Sequence, residues 1–363
     1  MSKGTIVIAM SGGVDSAVAA ALLKQDEWDV IGITMQIWQE REGESKNGGC
    51  CSLGAVEDAR RCANKLGIPH YVLNLKEYFN NNVIDLFISE YSRGRTPNPC
   101  VECNRSVKFE ELFRQSKAMG ADYLATGHYA RTRYNETTCR WEMLRAVNSA
   151  KDQSYALYTL DQQTLAHTIF PLGELKDKSE TRQIARELGL NVASRPDSQE
   201  ICFVSEEGYT SFLAEKAPET MQPGPIVDKE GRVIGEHQGV AQYTIGQRKR
   251  LPGGAGEPRF VISLDPATRT VVTGRDADLF AKGFIADKLN WISIEQPEWP
   301  LAVSARIRYN GTASPACLFS GSYEGSVHCI FDEPQRAVTP GQAAVFYQGD
   351  VIVGGGTIEQ RAE

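Results

Sequence analysis

Two groups of residues in this sequence have types and spacing suited to chemistry. The first is the turn "AMSGGVDS", Ala9–Ser16, set between a β-branched apolar run and an alanine-rich one. A glycine turn between a strand and a helix directs backbone N–H groups and the positive helix end at one point, which makes an anion site. Gly12 and Gly13 permit positive φ and close approach of a phosphate. Ser11 and Ser16 can add hydroxyl donors, and Asp15 is placed to help hold Mg²⁺. No lysine stands where the G-x-x-x-x-G-K-[ST] loop requires one, so this is not a Walker A loop.

The second group is the cysteines. There are nine, at positions 50, 51, 62, 100, 103, 139, 202, 317 and 329. An odd count in a long chain with no export signal argues against a disulfide framework and for metal, redox or catalytic use. "TPNPCVECN" holds Cys100 and Cys103 as a C-x-x-C; "SRPDSQEICFV" holds Cys202; "NGGCCSL" holds Cys50 and Cys51. Three chemistries fit: a structural zinc, an iron–sulfur cluster on Cys100, Cys103 and Cys202, or sulfur transfer by thiolates at Cys103 and Cys202. Cys62, Cys139, Cys317 and Cys329 are expected to be buried small hydrophobes.

The elements that position these residues follow from periodicity. Runs at 5–10, 29–38, 70–75 and 121–128 predict strands, and segments 15–25, 55–67, 78–91 and 105–119 predict helices. Strands alternating with helices imply an α/β domain with a parallel sheet. Ligands of such sheets sit at the strands' carboxyl ends, so Met35 and Gly127 would frame a ligand held at that turn, although core packing accounts equally for Met35. After about residue 205 turns and short strands take over, from "RFVISLD" to "QAAVFYQGDVIVGGGTI", with "GFIADKLNWISIE" opening the last unit. This predicts one or two small β-domains, barrel-like. The terminal "GGGTIE" is expected to be a glycine-tolerant turn. The expected boundaries are 1–207, 208–278 and 279–363.

The chain of 363 residues carries a net charge of −7, a poor prior for nucleic-acid binding. "GQRKRL" (Gly246–Leu251) and "ARIRY" (Ala305–Tyr309) are nevertheless basic islands. No apolar run approaches the ~18–20 residues of a membrane span, and the start lacks a signal-peptide layout; a cytoplasmic protein is expected.

The string S-G-G-x-D-S resembles the loop of the ATP pyrophosphatases, which cleave ATP between its α- and β-phosphates and adenylate a substrate oxygen. Taken with "GCCSL", "TPNPCVECN", "ATGHYAR", "KDQSYAL", "SRPDSQEICFV", "YTIGQRK" and "TPGQAAVFY", the chain resembles the tRNA-specific 2-thiouridylases. The resemblance implies an adenine-nucleotide alpha-hydrolase-like (PP-loop) domain, a small central β-rich domain and a C-terminal β-barrel that binds tRNA. It implies ATP with Mg²⁺, a tRNA anticodon stem-loop as partner, and a sulfur donor such as a cysteine desulfurase or relay protein. The wobble uridine would be adenylated at O2 and sulfur would replace the activated oxygen. Cys202 would carry a persulfide and Cys103 would be the partner nucleophile, the pair closing as a disulfide. ATP would lie along Ala9, Met10, Ser11, Gly12, Gly13, Val14, Asp15 and Ser16, with Met35 and Gly127. Asn98, Pro99 and Cys100 would border the target base. His128, Lys151, Asp152, Gln153, Arg308, Tyr309 and Gln342 would contact tRNA.

Two departures stand out. Some members carry Asp where this chain has Cys100, so a carboxylate role does not transfer there. "QRKRL" replaces the commoner "QRKGL". The same loop also serves small-molecule synthetases, and an RNA-binding module with structural zinc is a non-enzymatic rival.

Overall fold

The computed structural model describes residues 2–38, 53–193, 201–204, 207–252 and 258–362. Cys50, Cys51 and residues 194–200 lie outside them. Strands β1 (Thr5–Ala9), β2 (Asp29–Gln36), β3 (His70–Asn74), β4 (Tyr123–Ala125) and β7 (Thr168–Ile169) form a five-stranded sheet in the order β3-β2-β1-β4-β7. Its pairings are parallel throughout. The order reverses direction at β1, so the crevice at the carboxyl ends of β1 and β4 is the binding edge expected of such sheets.

Helix α1 (Val14–Gln25) follows β1 and buries Val14, Ser16, Ala17, Val18, Ala19, Ala20, Ala21 and Leu23. Its alanines let it pack tightly between the sheet and its neighbours, joining one core with Ile6, Ile8, Ala59, Ala63 and Ala185. Helix α2 (Leu53–Leu66) ends at Gly67, whose φ of +65° closes it. The expected helices at 78–91 and 105–119 are continuous runs over 76–92 (α3) and 99–118 (α4), each with a π-helical stretch inside it. The second run starts six residues early because Asn98 caps it and Pro99 occupies its first turn. Short α5 (Gln162–Ala166), α6 (Lys178–Glu187) and α7 (Tyr209–Lys216) complete the helices that concern the site.

The β-rich half divides between two sheets. Strands β8 (Gly224–Val227), β9 (Val233–His237), β10 (Phe260–Asp265) and β11 (Thr270–Gly274) form a small one in the order β10-β11-β8-β9. Strands β12 (Phe280–Trp291), β13 (Leu301–Arg306), β14 (Ser314–Ser320), β15 (Val327–Arg336), β16 (Ala343–Gln348) and β17 (Val351–Ala362) close a barrel through β12–β17 pairing. The "GGGTIE" segment is not a turn but the middle of β17. A Cβ at Gly354, Gly355 or Gly356 would stand 2.5–2.6 Å from Asn290 O, the Tyr158 ring or Asp287 O respectively, so these glycines are a close-approach seam. The hairpin of β5 (Ala130–Asn135) and β6 (Arg140–Arg145) leaves the α/β unit and pairs with β17 at Val351↔Leu144. It carries Cys139, which the sequence led us to expect buried; it is exposed in the hairpin turn at φ +51°. Cys317 is half-buried because strand alternation turns it away from the core side of Ala316 and Leu318, whereas Cys62 and Cys329 are buried as expected.

Arg95, between α3 and α4, fastens the α/β unit to the barrel. Its guanidinium meets Glu90 at 2.6 Å, contacts Glu359 of β17, and donates to Ile358 O at 3.2 Å. Removing one member of a buried charged set leaves the others uncompensated. Arg95→Met is expected to cost about 3 kcal/mol of barrel stability, read as a lower urea midpoint of the fluorescence of Trp291 and Trp299; an unchanged midpoint contradicts this role.

Candidate functional site

The turn after β1 is built from its own residues. Ala9 ends the strand, and Met10 is buried with its N–H on Ile33 O at 2.8 Å. Gly12 has φ +72°, and a Cβ there would stand 2.2 Å from Ala55 O, so only glycine fits. Gly13 does not use its freedom: it precedes α1 at φ −93°, in extended backbone. The Ser16 hydroxyl donates to Gly13 O at 3.1 Å and accepts from Ser11 N–H at 3.1 Å, so it shapes the turn from inside. Val14 is buried in the first turn of α1. Gly127 closes the turn from β4: a Cβ there would meet Ser16 N at 2.8 Å. Met35 packs half-buried against two core clusters.

Asp15 has partners that sequence reasoning missed. Lys178 Nζ lies 2.5 and 2.7 Å from its two oxygens, and the Tyr129 hydroxyl donates to it at 2.8 Å. Thr181 touches the same hydroxyl at 2.8 Å. Lys178 is 163 residues away, at the start of α6, and nothing local marks it. Tyr129 is buried and reaches the other way through its backbone, giving its N–H to Gln153 Oε1 at 3.0 Å and taking the Gln153 N–H at 2.9 Å.

Gln153 begins the surface shared with the barrel, where it faces Tyr309. Asp152 is buried, accepts from Ala146 N, Ser154 N and Ser154 Oγ at 3.0–3.2 Å, and pairs with Arg306 at 3.4 Å. Its carboxylate therefore positions Arg306, a residue the sequence reading did not single out. Arg306 lies 5.2 Å from the Tyr155 ring and 5.9 Å from that of Tyr309. Arg308 and Tyr309 are exposed beside it, and Lys151 is half-buried at the same turn. Gln342 ties the barrel to the loop before α4, donating to Thr96 O at 2.7 Å. His128 accompanies Gly127, with Nδ1 2.8 Å from Thr126 Oγ1 and its ring between Phe109 and Phe170. Burial, with the charge of Lys108 second, holds its pKa well below the usual histidine value.

Asn98 accepts from Cys100 N and Val101 N at 3.1 and 3.4 Å, so its side chain is a helix cap, and Pro99 is buried behind it. Cys100 is exposed, within electrostatic range of the Tyr309 hydroxyl. Cys103 opens the π-helical stretch Cys103–Glu111, a geometry concentrated at functional sites. It is buried in a cluster with Phe79, Phe87, Phe203 and Phe212, and Cys202 packs on the same cluster. Cys103 and Cys202 thus share one apolar cluster. Among the described residues no three His, Cys, Asp or Glu side chains gather as a metal-ligand set.

Two outcomes follow. Gly127→Ala pushes a methyl into the first turn of α1 and is expected to cost about 2 kcal/mol of stability, read as a lower urea midpoint; an unchanged midpoint contradicts the close approach. For His128, the unfolded chain protonates near pH 6.5 and the folded chain only well below it. Stability is therefore fully present above that pH and falls as pH drops. His128→Gln is expected to flatten the decline of the urea midpoint from about pH 7 to 5; an equal slope in both proteins contradicts the assignment.

Three family models cover the chain: "tRNA methyl transferase HUP domain" over residues 4–206, "tRNA methyl transferase PRC-barrel domain" over 210–275, and "Aminomethyltransferase beta-barrel domain" over 281–358. A tRNA-specific 2-thiouridylase of Clostridium perfringens is 50% identical, with 99% of each chain covered. That of Heliobacterium modesticaldum is 53% identical over 98% of this chain and 92% of its own. That of Clostridioides difficile is 49% identical over 98% of both. With three models in sequence and relatives matched along their whole length, the chain belongs to the tRNA-specific 2-thiouridylase family.

Proposed function

We propose that this chain catalyses ATP-dependent 2-thiolation of the wobble uridine, position 34, of tRNA, giving 2-thiouridine, AMP and pyrophosphate. The observation that carries the reading is that Cys103 and Cys202 share one apolar cluster, in a chain whose first strand ends in a phosphate-type turn. The family models' descriptions speak of methyl transfer and the relatives' names of thiolation. Methyl transfer from a sulfonium donor needs neither a cysteine pair nor a phosphate turn, so the residues favour thiolation.

The uracil C2 carbonyl is a poor electrophile, and its oxygen a poor leaving group. Adenylation of O2 makes that oxygen leave as AMP. ATP lies along Ala9–Ser16, with Met35 and Gly127 toward the adenosine. Asp15 is the carboxylate available to Mg²⁺, which would neutralise phosphate charge. The outer sulfur of a persulfide on Cys202 attacks C2 and AMP departs. The Cys103 thiolate then attacks the inner sulfur, leaving the outer one on the base and closing a Cys103–Cys202 disulfide that a reductant must reopen. A cysteine desulfurase or relay protein supplies the sulfur. Burial of Cys103 keeps water from the persulfide.

The anticodon stem-loop lies across the surface from Lys151 and Gln153 to Arg308 and Tyr309. Single-stranded bases are read by splaying them onto aromatic and polar groups, and exposed Tyr309, with exposed Cys100, offers such a platform. Asn98 and Pro99 hold Cys100 there. Asp152 and Gln342 act from behind, by positioning Arg306 and the loop at Thr96. The units proposed are a catalytic domain over 1–207, a central one over 208–278 and the barrel over 279–363. Among the described residues no helix is long and apolar enough to cross a membrane.

Cys202→Ser is expected to abolish 2-thiouridine formation, read by mass spectrometry of digested tRNA, while ATP and tRNA binding persist. Thiouridine at the normal rate from this variant removes the persulfide assignment.

A further inference from the structure

We propose that Thr34 and His70 are positioning residues for the nucleotide: in series they hold the Met10–Ser11 peptide, and through it they aim the turn after β1 at the ATP phosphates. This rests on the ATP reading above. Neither residue belongs to the turn. Thr34 stands on β2, beside β1 in the sheet, and His70 opens β3, one strand farther out. Thr34 is fully buried, and its hydroxyl donates to Met10 O at 2.8 Å. His70 Nε2 lies 2.8 Å from the same hydroxyl. A hydroxyl has one hydrogen, and here the Met10 carbonyl takes it. The His70 contact therefore runs from Nε2–H to the Thr34 oxygen, which fixes the neutral ring in its Nε2–H tautomer. Donation goes one way, from His70 to Thr34 to Met10.

Three observations separate this relay from ordinary core packing. The Met10–Ser11 peptide is held at both of its polar groups: Thr34 donates to its C=O, and its N–H donates to the Ser16 hydroxyl at 3.1 Å. Fixing that plane fixes the direction in which the chain enters Ser11, Gly12 and Gly13, and with it the backbone dipoles presented to a phosphate. The space for the relay is built into β2. A Cβ at Gly32 would stand 2.7 Å from Met10 Sδ and 3.3 Å from His70 Cδ2, so glycine there lets the ring and the Met10 side chain lie close together. The third observation is the other ring nitrogen. His70 Nδ1 is buried with no hydrogen-bond partner among the described residues. An apolar side chain would fill the same space and leave no nitrogen unpaired, so the use made of Nε2 accounts for an imidazole here. Burial, with the charge of Arg60 on α2 second, lowers the pKa of His70 and keeps the ring neutral.

The test is calorimetric binding of ATP and of inorganic pyrophosphate, each with Mg²⁺, to the full-length protein, beside its affinity for tRNA. Thr34→Val keeps the side chain's shape and removes the hydroxyl. It is expected to weaken ATP and pyrophosphate by the same factor, about tenfold, the size of a buried carbonyl left unpaired, with tRNA affinity unchanged. Thr34→Ser keeps a hydroxyl and restores most of the loss. His70→Leu is expected to weaken both ligands about threefold. The double variant Thr34→Val with His70→Leu is expected to be no weaker than Thr34→Val alone, because both residues act through one carbonyl. Unaltered ATP affinity in Thr34→Val, whatever its urea midpoint, makes the relay core packing only, and the proposal falls. Loss of ATP affinity with pyrophosphate binding intact also overturns it, since Thr34 would then act on the adenosine through its neighbour Met35. Losses that add in the double variant remove His70 from the relay. Should Thr34→Val not fold, His70→Leu decides: wild-type affinity for both ligands overturns the proposal. A wild type that binds neither ATP nor pyrophosphate overturns the nucleotide reading itself, a result distinct from a wild type that binds both with unaffected variants.

Discussion

Tyr129 is the residue on which the two halves of the site depend. It is fully enclosed, and its hydroxyl donates to Asp15 on the phosphate turn while its backbone pairs in both directions with Gln153. Gln153 in turn faces Tyr309 on the barrel. One buried residue therefore links the glycine turn after β1 to the turn at Gln153. A buried hydroxyl without a partner is costly, so both ends of this chain of contacts are fixed by the same need for satisfaction. Loops at the carboxyl edge of the sheet would otherwise vary independently of a barrel made from residues more than 150 positions later.

The barrel is coupled to the catalytic unit by more than this one contact. Arg95 reaches Glu90 and Glu359, Gln342 reaches Thr96, and the β5–β6 hairpin pairs with β17. These ties flank α4, whose cap presents Cys100 and whose π-helical stretch begins at Cys103. That helix, the capped loop before it and the barrel edge are thus tied together around the cysteines. Arg306, braced by Asp152 and two tyrosine rings, extends the frame to the surface proposed for RNA.

Local order was readable in the sequence, and long-range order was not. The strand–turn–helix at Thr5–Gln25 was legible because Gly12, the apolar strand and the alanine helix lie within one window. Later short strands were legible from alternation. The β5–β6 hairpin was not read, because its partner is β17, and no local pattern announces that pairing. The Gly354–Gly356 seam looked like a turn because the backbone and ring atoms it admits belong to Asn290, Tyr158 and Asp287. Lys178 was missed for the same reason: it is an ordinary first-turn lysine until folding sets it on Asp15. The early start of α4 was the exception, since Asn98-Pro99 is a cap signal that the sequence did contain.

The measurement that tests the central claim most directly is a single turnover. Protein loaded with one labelled sulfur per chain is mixed with ATP, Mg²⁺ and unmodified tRNA, quenched with alkylating reagent, and digested for peptide mapping. The account predicts one labelled thiouridine and one AMP per chain, with the Cys103 and Cys202 peptides joined by a disulfide. Labelled thiouridine formed while both cysteines remain open to alkylation would contradict it.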